Sequence, residues 1–143
     1  MTKFFLILLL GCSLFASESF KETRYIYSID KEIHYEGEIT FAQDSIKIEY
    51  TKPTHQIIDY SSEDENAQKK YFYLIVKSIH DDNQVLLNDF FSESADGNAT
   101  MLLPKELLGD FIKKVRFKKD KNSLEFLQIY MKNDDWIKIE TLR

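Results

Sequence analysis

The side chains best suited to nucleophilic, general-base or metal chemistry are three histidines, His34, His55 and His80, and a single cysteine, Cys12. A hydroxyl or thiol nucleophile needs a base beside it. None of the histidines neighbours a motif such as Gly-x-Ser-x-Gly, and their scatter lacks the close spacing of metal ligands. The carboxylate pairs Asp81-Asp82 and Asp134-Asp135 fall in runs that read as turns, where acids serve the backbone. Gly11, Gly37, Gly97 and Gly109 build no phosphate-cradling loop. These patterns point away from an enzyme and away from a bound metal or cofactor. One modification motif is present. Asp96-Gly97-Asn98-Ala99-Thr100 contains the Asn-x-Thr acceptor at Asn98, with the acid two residues upstream that bacterial N-glycosylation requires. The same residues also read as a simple Asp-Gly turn.

The compartment follows from residues 1–16. Met1-Thr2-Lys3 precedes an apolar run from Phe4 to Leu10 and then Gly11-Cys12-Ser13-Leu14-Phe15-Ala16. A basic start, a short apolar stretch and small residues are the parts of an export signal. The run is too short for a spanning helix, which needs about 20 apolar residues. Residues 17–143 are then a single domain acting outside the cytoplasm. Cleavage after Ala16 would release it, and the small-residue rule favours that cut. Leu9-Leu10-Gly11-Cys12 resembles the lipobox of bacterial lipoproteins, and acylation of Cys12 would instead anchor the domain in the cell envelope. With one cysteine there is no internal disulfide, so stability rests on the core.

Acids outnumber bases by 24 to 19, for a net charge of -5. Nucleic acid as a partner would call for a basic face, so that class is excluded. The basic run Lys113-Lys114-Val115-Arg116-Phe117-Lys118-Lys119 alternates and reads as the solvated face of a strand.

The elements that must position any site are mostly strands. Alternating or aromatic-rich segments predict strands over 20–29, 37–41, 45–50 and 55–60, with Pro53 ending the third. The polar run Ser61-Ser62-Glu63-Asp64-Glu65-Asn66 then changes the period. From Ala67 to His80, Phe72, Ile75, Val76 and Ile79 recur at helical spacing, although the aromatic and β-branched content also fits a long strand. Residues 85–91 have no clear pattern. Ala99 to Leu103 predicts a strand, and Pro104 suits the first turn of a short helix carrying Leu107, Leu108, Phe111 and Ile112. Val115 and Phe117, Leu124 to Met131, and Trp136 to Leu142 complete a meander. The expectation is an α+β, mainly β domain: an antiparallel sheet with about two helices and no internal linker.

The order of these features resembles a known family. Phe20-x-Glu22-x-Arg24, Gly37-x-Ile39-x-Phe41, Ile46-Lys47-Ile48-Glu49-Tyr50 and Pro53, then Met101-Leu102-Leu103-Pro104-Lys105, Val115-x-Phe117 and the last two strands, resemble the LolA-type periplasmic carriers of outer-membrane lipoproteins. The resemblance implies a curved, incomplete β-barrel with helices over its open side, enclosing an apolar cavity for lipoprotein acyl chains. It implies an inner-membrane ABC exporter as donor and an outer-membrane acceptor as recipient. No basic residue stands at the Gln43-Asp44 turn, where the best-studied carriers have an arginine, and the family's helix before the first strand is missing. On this reading Ile39, Phe41, Ile46, Ile48, Phe72, Ile75, Val76 and Ile79 line the cavity. Apolar periodicity marks burial of either kind, so the same residues also fit a packed core. The rival functions are an envelope interaction module without lipid cargo and an outer-membrane acceptor anchored through Cys12.

Overall fold

The structure, a computed structural model, describes residues 17–106, 108–121 and 123–142. The export signal, the Ala16 cleavage site, Cys12 and Leu107 lie outside them. Four strands come first: β1 (Ser17–Ile26), β2 (Lys31–Phe41), β3 (Ser45–Lys52) and β4 (Gln56–Ser61). Two helices follow, α1 (Ala67–His80) and α2 (Gln84–Phe90). The chain ends in β5 (Phe91–Asp96), β6 (Ala99–Pro104), β7 (Ile112–Asp120), β8 (Ser123–Met131) and β9 (Trp136–Thr141).

All nine strands join one antiparallel sheet in the order β4-β3-β2-β1-β9-β8-β7-β6-β5. Each half is a meander, and the first and last strands pair at its centre. The edges are therefore β4 and β5, which do not pair with each other, and the two helices are the connection between them. The sheet is strongly curved. Tyr60 in β4 and Ile112 in β7 border one pocket, yet they stand six strand positions apart, about 29 Å on a flat sheet at ~4.8 Å per strand. Curling brings both halves around α1, which presses into the concave side.

Alternation decides which residues enter that side. Phe20, Ile39, Ile46, Ile48, Tyr50, Leu102, Val115, Leu127 and Ile139 are at most 2% exposed and form one cluster with the inner residues of α1. Full burial of such side chains contributes about 1.5–3 kcal/mol each. A bulge in β8 opposite Lys118 and Lys119 breaks the alternation, so that Leu124 and Leu127 both point inward.

Helix α1 has the expected bounds, and the strand alternative for this segment is overturned. The Asn66 side chain accepts from the Lys69 amide at 3.1 Å, satisfying one of the free donors at the helix start. At the other end Lys119 is the cap. Its Nζ donates to the carbonyls of Ile79 and His80 at 3.0 and 3.1 Å and pairs with Asp82 at 2.9 Å. The basic run is thus not uniformly solvated, since the Lys119 side chain is only 11% exposed.

Other local expectations are corrected. The first strand ends at Ile26, where a 3-10 turn, Tyr27–Ile29, and a left-handed Asp30 reverse the chain. Residues 84–90 form α2, capped by Asn83, and β5 follows directly; neither had a periodic signal. Pro104 closes β6 instead of opening a helix, and among the described residues a 3-10 turn, Leu108–Asp110, lies between it and β7. Phe111 is half-exposed and Ile112 is the first residue of β7.

Candidate functional site

A pocket of about 370 Å³ lies between the N-terminal half of α1 and the concave sheet. Its size falls within the about 300–1,000 Å³ of small-molecule sites. Phe72 and Ile75 of α1 face Ile112, Ile129 and Ile137 of the sheet, giving it an apolar interior. Tyr60 closes one side, with its ring 4.6 Å from that of Phe72. At the rim Tyr71 packs on Phe111 at 5.6 Å, beside Gln68, Lys69, Asp110, Met131, Lys132 and Asn133. The pocket opens towards the Ile26 end of β1. Along its inward side, exposure rises from none at Phe20 through 2% at Glu22 to 35% for the Arg24 side chain.

Glu22 and Arg24 are the polar part of this wall. Period-two alternation places both on the same face as Phe20. Arg24 Nε donates to Glu22 Oε2 at 2.5 Å, Tyr50 Oη donates to Glu22 Oε1 at 2.8 Å, and Arg24 Nη2 donates to Tyr50 Oη at 3.1 Å. The guanidinium also lies over the Tyr35 ring at 4.5 Å. A buried carboxylate is tolerated when it is paired and its lone pairs are satisfied, and both oxygens are occupied here.

Gly37 makes the triangle reachable. Tyr50 is on β3 and Glu22 on β1, so the tyrosine must lean across β2, about two strand spacings. In register, Gly37 lies between Phe20 and Tyr50. With no side chain at Gly37, the Phe20 and Tyr50 rings meet edge-on at 5.9 Å. A Cβ there would collide with the Glu49 carbonyl and come within 3.0 Å of Tyr50 Cα.

The electrostatics follow the geometry. Burial opposes the charge of Arg24, but Glu22 and then Tyr50 outweigh it and raise its pKa. Burial, reinforced by the Glu22 charge, raises the Tyr50 phenol well above its ordinary value. The same two causes push Tyr60 up to about 12. Tyr50 is thus kept protonated as a donor to Glu22.

Neither the family models nor the curated proteins compared with this chain match it.

The eight residues expected to line a cavity divide. Phe72 and Ile75 border the pocket. Ile39, Phe41, Ile46, Ile48, Val76 and Ile79 are packed in the core, at most 9% exposed, and do not border it. Sequence reasoning overlooked Glu22, Arg24, Ile112, Ile129 and Ile137 as lining residues. The available signal was two charges sharing the Phe20 face, a position that alternation reserves for apolar side chains.

The histidines stand apart. His34 contacts Thr23 and Glu32, His55 bonds Glu49 at 2.9 Å, and His80 stacks on Phe41 at 3.6 Å beside Asp81. Among the described residues, no group of three or more His, Cys, Asp or Glu is arranged to hold a metal ion, and no helix is long and apolar enough to cross a membrane. Asn98 is exposed in the β5–β6 turn after Gly97, whose φ is +63°, and Asp96 pairs with Arg116 at 2.7 Å.

Proposed function

We propose that this chain is an envelope carrier that shields the acyl chains of lipoproteins in transit between the inner and outer membranes. The reading starts from the resemblance to LolA-type carriers and is supported by the open, curved antiparallel sheet with two helices. The single observation that carries it is the apolar pocket under α1, walled by Phe72, Ile75, Ile112, Ile129 and Ile137. Each methylene taken out of water contributes about 0.8 kcal/mol, so even part of an acyl chain seated there is held usefully in an aqueous compartment. On this reading the partners are outer-membrane lipoproteins, an inner-membrane ABC exporter and an outer-membrane acceptor, the protein works in the periplasm, and it catalyses no reaction.

The test is lipid extraction and native mass spectrometry of the protein exported with its own signal. Copurifying lipid or acylated peptide, displaced by an added acyl probe, is the expected result. Protein that carries no lipid and binds no acyl probe overturns the carrier reading. That outcome would favour a second one, an envelope interaction module, for which the observation is the packing of Ile39, Phe41, Ile46, Ile48, Val76 and Ile79 into a filled core. A partner captured by crosslinking in cells would support the module. Sequencing of the mature N-terminus separates a diffusing carrier, beginning at Ser17, from an acceptor anchored through acylated Cys12.

A further inference from the structure

The pocket is not uniformly apolar, and its polar part has donors to spare. Of the Arg24 nitrogens, Nε is bonded to Glu22 and Nη2 to Tyr50, while Nη1 has no hydrogen-bond partner among the described residues. Every buried side-chain nitrogen or oxygen among those residues does have a partner, so Nη1 belongs to the accessible part of the side chain. Arg24 borders the pocket at its open end, beyond Glu22. An accessible guanidinium at the rim of an apolar pocket recognises a ligand that is apolar at one end and accepts hydrogen bonds at the other.

We propose that the pocket binds one acyl chain at a time through its carbonyl, with Arg24 donating from Nη1 and the chain lying under α1 against Ile75, Ile112 and Ile129. This rests on the carrier reading and adds how the cargo is recognised. The chemistry favours an ester or amide carbonyl over a free carboxylate. Glu22, 2.5 Å from Nε, already neutralises the guanidinium. Of the two other cations at the rim, Lys69 is paired with Asp64 at 3.0 Å and Lys132 shares the rim with Asp110, so the lining holds little excess positive charge for a carboxylate, which Glu22 would repel. The acyl linkages of a lipidated N-terminus are esters and amides, so the preference would separate lipoprotein cargo from free fatty acid. Glu22 and Tyr50 are positioning residues, since they hold Nε and Nη2 and so leave Nη1 as the group presented to a ligand. The small volume leaves room for no more than one chain, and for only part of a long one.

The experiment displaces a fluorescent acyl probe from the mature chain with three competitors of equal chain length: a fatty-acid methyl ester, the free fatty acid and the alkane. The ester should bind about tenfold or more tightly than the alkane, as expected for a hydrogen bond from a charged donor, and more tightly than the acid. Arg24→Met combined with Glu22→Gln should bring the ester-to-alkane ratio to about one. Arg24→Lys, which keeps the charge beside Glu22, should reduce it partway. Because the ratio is taken within each variant, partial unfolding does not distort it. Equal binding of ester and alkane to the unaltered protein overturns the carbonyl site and leaves the carrier reading standing, as does tighter binding of the acid. Failure of the protein to bind the probe or any competitor overturns both.

Discussion

Removing either charge of the Glu22–Arg24 pair breaks the same ion pair, yet the two substitutions should differ in cost because they strand different partners. Arg24→Met keeps most of the apolar stem but leaves the Glu22 carboxylate, 2% exposed, with the Tyr50 hydroxyl as its one remaining partner among the described residues. Orphaning a buried charge costs about 3–5 kcal/mol, and the adjoining pocket, which admits water, puts this case near 3. Glu22→Gln keeps an acceptor for Tyr50 and strands a guanidinium that is 35% exposed and can turn to solvent. Its cost should be about 1 kcal/mol, the scale of one ordinary hydrogen bond. The double variant removes the stranded carboxylate and should be more stable than Arg24→Met alone. Equilibrium urea unfolding at neutral pH measures all three. With slopes of about 1–3 kcal/mol/M, a 2 kcal/mol gap separates the single-variant midpoints by about 1 M. Equal costs for the two single variants, within about 0.5 kcal/mol, or a double variant less stable than Arg24→Met, would refute the assignment of Glu22 as the buried, dependent charge.

Gly37→Ala should destabilise the fold by about 1–3 kcal/mol, because the new Cβ meets the β3 backbone rather than a side chain that can swing away. Its urea midpoint will show this, and wild-type stability would mean that β2 and β3 are not so closely apposed. Lys119→Met should cost about 1.5–3 kcal/mol by leaving the Ile79 and His80 carbonyls without their charged donor. Faster amide hydrogen exchange in the last turn of α1 is the local signature, and unchanged protection there would contradict the cap. Raised folded pKa values at Tyr50 and Tyr60 make stability alkali-sensitive. The contribution is complete below the ordinary phenol value near 10 and falls as pH rises above it; the part due to Tyr60 is lost by about 12, and that of the further-raised Tyr50 goes on falling beyond. Spectrophotometric titration should find phenols that ionise only at or beyond that limit, and Tyr60→Phe should lose one; ionisation of all tyrosines together near pH 10 would contradict their burial.

Much of the architecture was legible locally. The turns at Ala42-Gln43-Asp44 and Asn133-Asp134-Asp135 and the helix 67–80 follow from turn chemistry and period, which act over a few residues. Helix α2 and strand β5 were not, because Gln84–Asp96 alternates weakly and most of its side chains remain exposed. Pro104 was misread because a proline at the end of an edge-side strand and one at the start of a helix have the same local neighbours.

The candidate site divides along the same line. Apolar spacing alone determined that Ile39, Phe41, Ile46, Ile48, Phe72, Ile75, Val76 and Ile79 turn inward, since alternation and helical period set the face of each side chain. Only the tertiary structure decided which of them meet empty space. The sheet curls so that α1 fills the Phe20 end and stands off at the Arg24 end, and that asymmetry comes from contacts between residues far apart in the chain. The same curvature, with the missing side chain at Gly37, brings Glu22, Arg24 and Tyr50 together across three strands. No local pattern encodes that meeting, because it depends on strand register and on the space between strands.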